Sequence, residues 1–556
     1  MILTLFSLAI GFLLTFLFSH RLIIFDFGLM ALGGVRFNFI LIFDIFRIVF
    51  LFAVTIISGR VYTFRRSYMS PDKYFVRFHF LLLSFVGSMI LLILSPNLIS
   101  VLIGWDGLGI RSYLLVIYYR RAKSYNSGMV TILSNRVGDA LIIVRLCYCI
   151  FLPSLNLGHL YFSYRSYYII ILFILVVASI TKRAQIPFRA WLPAAIAAPT
   201  PVSSLVHSST LVTAGVYLIF RFERLLVSIN LRNVLLIIGS LTILMARLRA
   251  FFEIDMKKIV ALSTLSQLGV IISAIGAGFR VLGFFHLLAH AFFKALLFIR
   301  TGNLIHGSER YQDMRVIGGG REVIPLTNRI VIRASLSLCG LPFIAAFYSK
   351  EIIIERLLIN NVSIYSYFLL IAGIFMTVFY RTRFLFNSFT WVNRQRALIL
   401  KNDLDLKVNT SILILFLPAV IGGRFVGQFL KLGGLLLIPS NLKFVGVFLI
   451  VRGASVYILI FKTPVLKFGL RKWSIGSLWI LPFFTSRLPV ESTINIGDFF
   501  NKITDFSWLY YTFSTFFLMF NKLRSSEGLV FQPITFIRVV SHSFLIFLLL
   551  IIWVRI

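Results

Sequence analysis

Long apolar runs follow one another along almost the whole chain, and they restrict its fold more than any other feature. A run of about 18 to 25 apolar residues crosses the hydrocarbon layer of a bilayer as one helix. A soluble core does not bury a long series of helices that are apolar on every face. Because only 13% of the residues are charged and 59% are hydrophobic, the sequence predicts an all-α polytopic membrane protein.

The runs predict about sixteen transmembrane helices, with boundaries good to a few residues. The expected spans are 1–19, 38–58, 78–96, 98–119, 129–152, 168–197, 200–222, 232–247, 258–277, 281–305, 324–347, 364–385, 408–424, 442–461, 473–485 and 541–555.

Two of these spans are interrupted close to a lysine. Residues 178–201 contain four prolines and Lys182, and residues 333–351 contain a Gly-Leu-Pro sequence and Lys350. Proline removes a backbone donor, so a broken helix persists in lipid only inside a bundle or beside a water cavity. Paired breaks of this kind predict an ion pathway built from inverted repeats. The alternative is two ordinary kinked helices with snorkelling lysines.

The region 486–540 has a different composition, with acidic and basic residues around an aromatic stretch. Apolar side chains recur there at spacings of three and four, which places them on one helical stripe. A helix of this kind lies along a membrane surface, so we expect a lateral amphipathic helix. The stripe comprises Phe499, Ile503, Phe506, Tyr510, Phe513, Phe517 and Phe520.

Ionisable residues within spans are candidates for function, because each costs a few kcal/mol on insertion scales. Asp106 lies between glycines in the segment 104–109, and Lys182 is its expected partner of opposite charge. Asp139 is a second buried acid, and Arg136 lies three residues earlier on the same helical face. For Asp139, a structural and a functional role remain equally open.

Histidines and a further lysine form the second group of candidates. His207 lies in a hydroxyl-rich run, 199–210, whose side chains either relay protons or bond back to the backbone. His286, His290 and Lys294 are spaced four apart, so they form one polar stripe on an apolar helix. A histidine titrates near neutrality and passes protons. A zinc site is disfavoured, because the glutamate of the zincin pattern and a third ligand are absent from the sequence pattern.

Lys350 and Glu351 end the second interrupted span, and as neighbours in sequence they are expected to meet different partners or water. Cys147, Cys149 and Cys339 lie in apolar runs without the spacing of a metal or disulfide site. No phosphate loop, nucleophilic triad, flavin site or nicotinamide site is recognisable. We therefore expect a chain that carries charge or protons and holds neither cofactor nor metal.

The segments 104–109, 135–139, 182–210, 257–269, 286–294 and 340–351 together resemble subunit 5 of NADH dehydrogenase. This is the large antiporter-like family of membrane subunits in mitochondrial respiratory complex I, whose relatives are subunits of cation/proton antiporters. The resemblance implies NADH:ubiquinone oxidoreductase activity with proton translocation across the mitochondrial inner membrane. NADH, FMN, iron–sulfur clusters and ubiquinone would bind elsewhere in the complex.

The resemblance also implies a role for each candidate. Asp106 would pair with Lys182, beside His207. The stripe of His286, His290 and Lys294 would be the central relay, and Lys350 with Glu351 the exit. The implied divisions are N-terminal helices at 1–97, an antiporter-like core at 98–360, C-terminal helices at 361–485, a lateral helix at 486–540 and an anchor at 541–556. The partners would be other membrane-arm subunits, above all the neighbouring antiporter-like subunit, and the lipid bilayer, with no nucleic acid.

Two other functions remain as alternatives. One is an Mrp-type sodium/proton antiporter subunit, and the other is a structural membrane scaffold that conducts nothing. The scaffold is disfavoured because acids, histidines and lysines within spans carry an energetic cost that packing does not require.

The abundance of arginine predicts an unusual codon assignment. The formal net charge is +36, and each arginine at a helix centre costs about 2.5 to 3.5 kcal/mol on insertion scales. The subunit 5 pattern has serine where Arg183 stands and methionine where Ile196 stands. In many invertebrate mitochondria AGA and AGG encode serine, and AUA encodes methionine. We therefore hypothesise that the natural chain carries serine and methionine at many Arg and Ile positions. The alternative is a lineage in which AGA and AGG encode arginine, and acidic lipids or neighbouring subunits compensate the charge. Five such arginines lie in apolar runs with no acid expected within helical reach: Arg47, Arg145, Arg300, Arg333 and Arg452.

Overall fold

The computed structural model describes residues 22–32, 35–150, 165–226, 231–308, 311–316, 325–359, 364–390, 406–429, 445–462, 488–501 and 514–519. The chain divides into two units, Met1–Thr485 and Ser486–Ile556. Of the expected spans, 1–19, 473–485 and 541–555 lie outside the described residues.

The described part of the first unit begins with an antiparallel pair of β-strands that the sequence did not predict. Strands β1 (Ile23–Leu32) and β2 (Val35–Phe43) pair antiparallel, with an irregular register between Gly28 and Met30. The span expected at 38–58 therefore begins later, as a helix at Ile45. The all-α prediction holds for the remaining described elements. An apolar run of strand length cannot be told from a helix by its periodicity alone.

Helices make up the rest of the described first unit. They are α1 (Ile45–Tyr68), α2 (Phe75–Leu94), α3 (Leu98–Val116), α4 (Ala122–Ile150), α5 (Arg165–Lys182), α6 (Trp191–Ala194), α7 (Thr200–Ser208), α8 (Leu211–Leu226), α9 (Leu231–Phe252), α10 (Met256–Gly276), α11 (Arg280–Gly307), α12 (Pro325–Cys339), α13 (Ala345–Ile359), α14 (Ile364–Leu385), α15 (Leu406–Val420), α16 (Gly422–Phe429) and α17 (Val445–Lys462). A 3₁₀ turn, Ala195–Ala197, follows α6, and a π-turn, Phe386–Thr390, follows α14.

The described helices confirm a polytopic membrane protein. Eight of them are long and apolar enough to span a bilayer, and three shorter apolar helices accompany them within the described residues. The predicted total of about sixteen spans stays a prediction, because residues along the chain fall outside the description.

An acidic residue begins α1. The Asp44 carboxylate accepts a hydrogen bond from the backbone N–H of Arg47 at 2.8 Å, as an N-cap residue does. Arg221 of α8 also donates to both Asp44 oxygens, at 2.7 and 2.8 Å. Because Asp44 interacts electrostatically with Arg47, the expectation that Arg47 has no acid within helical reach is wrong.

Both predicted helix breaks are present. The first lies between Lys182, where α5 ends, and Thr200, where α7 begins, with only the short helical turns of 191–197 between them. The second separates α12 from α13 and includes Gly340, whose φ of +89° is in the left-handed region that favours glycine. Proline and glycine chemistry therefore places both breaks where the sequence predicts them.

The centre of the first unit is formed by α10 and α11, whose membrane-spanning windows are completely buried. Glycines permit α9 to approach α10 closely, since a Cβ on Gly269 would lie 3.0 Å from the Gly239 carbonyl oxygen. The polar stripe of α11 is thus enclosed by protein on every side, and a polar side chain there is shielded from lipid.

The second unit is described over α18 (Leu488–Asn501) and a helical turn at 514–519. The side chains of α18 from residue 493 onward are exposed. Helix is therefore present at the start of the predicted lateral segment. Of its apolar stripe, Phe499 and Phe517 lie within the described residues, and the lateral arrangement itself stays a prediction.

Candidate proton pathway

Lys182 lies completely buried at the C-terminal end of α5. Its Nζ donates a hydrogen bond to the Trp105 carbonyl oxygen at 2.6 Å and lies 3.8 Å from the centre of the Trp105 ring. The ammonium also interacts electrostatically with Asp139 and, less strongly, with Asp106. One lysine is therefore enclosed by a backbone carbonyl, an aromatic face and two carboxylates.

The two carboxylates share one arginine. Arg136 Nη1 lies 3.5 Å from Asp139 Oδ2, which confirms the pair expected from their spacing, and 3.8 Å from Asp106 Oδ2. Asp106 therefore lies within ion-pair distance of Arg136, whereas its expected partner Lys182 interacts with it electrostatically at longer range. The physical reason is that the Trp105 carbonyl takes the Lys182 ammonium. Asp139 is buried, whereas the Asp106 side chain is 30% exposed.

His207 lies on α7 and is buried. Its ring stacks on Phe298 of α11 with centroids 5.6 Å apart, and neither ring nitrogen has a hydrogen-bond partner among the described residues. Lys257 and Lys294 both interact with it electrostatically. His207 therefore stands between the first break and the stripe of α11, with two nitrogens able to bond to water.

The hydroxyls around His207 bond mainly back to the helix. Ser203, Ser204 and Thr210 donate to the carbonyls of Thr200, Pro201 and Leu205 at 2.7 to 2.9 Å. The sequence left open whether these hydroxyls relay protons or bond to the helix backbone. In the structure, these three bond to the backbone.

The three residues of the α11 stripe are completely buried. Lys294 Nζ donates to the Val260 carbonyl at 3.1 Å and to Ser263 Oγ at 2.5 Å. The two ring nitrogens of His290, which lies between Lys294 and His286, have no hydrogen-bond partner among the described residues. The stripe therefore runs along α11 as predicted and faces polar groups of α10.

His286 connects this stripe to the second break. Its Nδ1 lies 2.8 Å from Ser349 Oγ on α13, and its Nε2 lies 3.1 Å from Gln267 Oε1 on α10. Lys350, the residue after Ser349, also interacts electrostatically with His286, so the histidine lies near both the hydroxyl and the lysine of the second break. Sequence spacing could not show that α13 supplies this hydroxyl.

Lys350 and Glu351 are both buried beside Gly340. Lys350 Nζ donates to the Cys339 carbonyl at 2.8 Å, at the last residue of α12. The Glu351 carboxylate lies against Gly446 of α17, so closely that a Cβ at Gly446 would overlap it. The two neighbouring side chains therefore contact different groups, in agreement with the expectation.

Sequence reasoning assigned no role to Ser263, Gln267, Ser349 and Lys257. Gln267 gave a weak signal, because an amide in the middle of an apolar run is costly unless it is hydrogen-bonded. The two serines gave none, since a serine in a helix commonly bonds to its own backbone.

Together these residues form a row of groups that can accept and release protons. Its members are Asp139 and Lys182 before the first break, His207 after it, the α11 stripe, and Lys350 and Glu351 at the second break. Within the described residues, no cluster of three His, Cys, Asp or Glu side chains could hold a metal ion. Lysine, histidine and carboxylate side chains can pass protons, and unpartnered histidine nitrogens allow water to bridge the wider gaps.

Residues 95–379, which include the whole row, match the family model described as NADH:quinone oxidoreductase/Mrp antiporter, TM. NADH-ubiquinone oxidoreductase chain 5 of Anopheles quadrimaculatus is 41% identical over 498 residues, covering 87% of this chain and 85% of that protein. Chain 5 of Anopheles gambiae is 40% identical over 508 residues, covering 89% of this chain and 87% of that protein.

The fold resembles that of a solved antiporter complex. In the structure of the Mrp complex from Dietzia sp. DQ12-45-1b, one chain matches with a TM-score of 0.74 and 22% identity over 95% of this chain. This chain spans 61% of the length of that chain. The family model and the insect relatives extend over most of this sequence, and the chain therefore belongs to the NADH:quinone oxidoreductase/Mrp antiporter family of membrane proteins, among the NADH-ubiquinone oxidoreductase chain 5 sequences.

Proposed function

We propose that this chain translocates protons across the mitochondrial inner membrane as a membrane subunit of NADH:ubiquinone oxidoreductase. The observation that carries the proposal is the buried row of titratable side chains from Lys182 to Glu351. Electron transfer from NADH to ubiquinone, with its flavin and iron–sulfur centres, belongs to other subunits. This chain supplies the groups that take up and release protons.

The chemistry of the row favours protons over sodium ions. Alkali cations in membrane proteins are coordinated by oxygen atoms, often carbonyls of unwound helices. Here lysine ammoniums already occupy the carbonyls of Trp105 and Cys339. A second cation at these carbonyls would meet a like charge at close range, which is unfavourable in a low dielectric. The Mrp-like fold is shared by both kinds of complex and does not by itself distinguish them.

A conducting role also agrees better with the energetics than a scaffold does. Within the part of the chain that the structure describes, Lys294 and the three histidines of the proposed pathway are buried without a carboxylate partner. Packing alone would be served as well by apolar side chains of similar volume. A protein that only held its neighbours together would gain nothing from these groups.

We further propose that a neighbouring antiporter-like subunit covers the face formed by α3 and α4. The Asp106 and Arg136 side chains are 30% and 50% exposed there, although both helices are apolar. Ile103 and Leu133 are exposed on the same two helices. A charged pair is costly against hydrocarbon, so this face requires a partner that presents polar groups at the level of the pair.

Purification of the native complex from the mitochondrial inner membrane tests this function. The proposal expects the chain to co-purify with flavin- and iron–sulfur-containing subunits. In proteoliposomes free of sodium, NADH oxidation should drive proton movement. The variant Lys182→Met, which removes the first lysine of the row, should reduce this pumping and leave the reaction of NADH with artificial electron acceptors intact. Full pumping in that variant, or a strict requirement for sodium, would refute the proposal.

A further inference from the structure

Lys257 is a buried lysine outside the row that carries the proposed function. It lies in the first turn of α10 and is 3% exposed. Its Nζ donates a hydrogen bond to the Ile196 carbonyl at 2.8 Å and another to the Ala198 carbonyl. Both carbonyls belong to the first helix break, immediately before α7 begins at Thr200. An ammonium from a distant part of the chain therefore binds the backbone of the break.

The break needs donors at this point because its own sequence lacks them. Pro199 and Pro201 have no N–H, so the 3₁₀ pattern of Ala195–Ala197 cannot continue with i→i+3 bonds to the Ile196 and Ala198 carbonyls. Carbonyls left unbonded at a helix end are satisfied by caps, water or side chains, and lysine commonly bonds to them there. Inside a membrane bundle, water is scarce and an unsatisfied carbonyl is expensive. Lys257 supplies two of the missing hydrogen bonds.

The second break contains a similar arrangement. Lys350 donates to the carbonyl of Cys339, which is the last residue of α12. Lys350 also has Glu351 as an electrostatic partner. Lys257, in contrast, makes no ion pair with a carboxylate among the described residues. The ammonium of Lys257 therefore bonds to backbone carbonyls. This arrangement favours a role in holding the break in place over a role in proton transfer.

The anchored segment leads directly to His207. The helix α7 starts two residues after the Ala198 carbonyl and carries His207 in its last turn. The charged groups that act on His207 are Lys257 from α10 and Lys294 from α11. Movement of the break would therefore displace the histidine relative to the α11 stripe.

We propose that Lys257 is a positioning residue, which holds the first helix break closed through its two carbonyl hydrogen bonds and so fixes His207 beside the α11 stripe. This inference rests on the proposed function, because the position of His207 matters only if His207 passes protons. The rival role for Lys257 is direct proton transfer to the row. The two roles differ in whether another cationic donor can replace the lysine.

The adjacent residue provides a matched control. Lys258 lies on the same turn of α10 but makes a partly exposed ion pair with Asp255, with Nζ and Oδ2 2.7 Å apart. Lys258→Met removes the same charge from the same helix and leaves the break untouched. Lys257→Met removes both carbonyl bonds, whereas Lys257→Arg retains a cationic donor.

The experiment compares these variants in the intact, purified complex. Amide hydrogen exchange of residues 191–208 reports the break directly, and proton pumping with NADH reports function. In Lys257→Met we expect exchange in this segment to be at least about tenfold faster, since local opening is governed by the bonds that close it. Pumping should fall with it, while NADH oxidation by artificial acceptors stays normal. Lys257→Arg should keep most of the parent's slow exchange and most of its proton pumping. Lys258→Met should match the parent in exchange and in pumping.

The outcomes separate the two proposals. The positioning role of Lys257 would be refuted if exchange were unchanged in Lys257→Met. It would also be refuted if Lys257→Arg lost proton pumping while its exchange stayed at the parent level. Faster exchange with full pumping would leave the positioning role standing and remove His207 from the proposed pathway. If Lys257→Met fails to assemble, Lys257→Gln takes its place against Lys257→Arg. Equal exchange in those two variants would also refute the positioning role.

Discussion

Replacing Lys294 with methionine tests the middle of the row by separating its function from its stability. Lys294 is completely buried and makes two hydrogen bonds, to the Val260 carbonyl and to Ser263 Oγ. Burying an ammonium costs several kcal/mol even after relaxation. Each hydrogen bond made by a charged donor returns about 1.5 to 3 kcal/mol. The two effects nearly cancel, so a charged Lys294 contributes little to stability.

Methionine keeps the length and the unbranched shape of the side chain, and it removes the charge. Ser263 Oγ would still donate to the Val260 carbonyl, at 2.7 Å, so no hydroxyl is left unbonded. We therefore expect the complex to assemble, with its unfolding free energy within about 1 kcal/mol of the parent, since replacing buried charges by apolar residues is often neutral. Proton pumping should fall at least tenfold, corresponding to about 1.4 kcal/mol or more in the barrier.

The assay measures NADH-driven proton pumping in proteoliposomes, thermal unfolding of the complex, and NADH oxidation with an artificial acceptor. Lys258→Met is the control, because it removes a partly exposed lysine that does not belong to the row. Normal pumping in Lys294→Met would show that Lys294 is a buried structural lysine, and the relay would be wrong. A loss of several kcal/mol in stability would refute the energetic reasoning instead.

Three further predictions follow from the same geometry. Asp139→Asn should destabilise the complex more than Asp106→Asn, because Asp139 is buried and interacts more strongly with the buried Lys182 ammonium, whereas Asp106 is partly exposed; thermal unfolding of both variants checks this order, and the reverse order would contradict it. Gly446→Ala should lower pumping without preventing assembly, since the new methyl would displace the Glu351 carboxylate; Gly497→Ala, whose added methyl meets nothing within 4 Å, is the control, and equal pumping in both would count against Glu351. Peptide mass spectrometry of the natural protein should find serine at position 183 in an uncut tryptic peptide, whereas cleavage there with an intact arginine mass would end the codon hypothesis.

The buried arginines give that last prediction its structural support. Arg183 is completely buried, and among the described residues it donates only to the carbonyl and hydroxyl of Ser179, one turn earlier. Arg247 is also completely buried, and its three guanidinium nitrogens make no hydrogen bond to the described residues. A buried charge without a partner is one of the most expensive arrangements in a protein. Serine at such positions would remove the cost and leave the proposed pathway acids, histidines and lysines unchanged.

Local features of the sequence were enough to predict the class of the protein, the positions of its helix breaks and most residues of the proposed pathway. Each of these depends on local chemistry. The length of an apolar run sets whether a helix spans the bilayer. Proline in a helix interior removes a backbone donor and clashes with the preceding turn, and glycine adopts the left-handed conformation that ends a helix, as at Gly340. An ionisable residue in an apolar run stands out at once, as Lys182, Lys294 and Lys350 do.

Tertiary structure alone decided which of these groups meet. In the folded chain, Arg136 lies beside Asp106, and Lys182 donates to the Trp105 carbonyl. Ser349 of α13 contacts His286. Tertiary structure also formed the strand pair of residues 23–43 from runs that a helix would equally accommodate. These contacts join residues far apart in the chain, and the orientation of packed helices fixes them. Helical periodicity states which face a residue occupies, but it carries no information about which helix lies opposite that face.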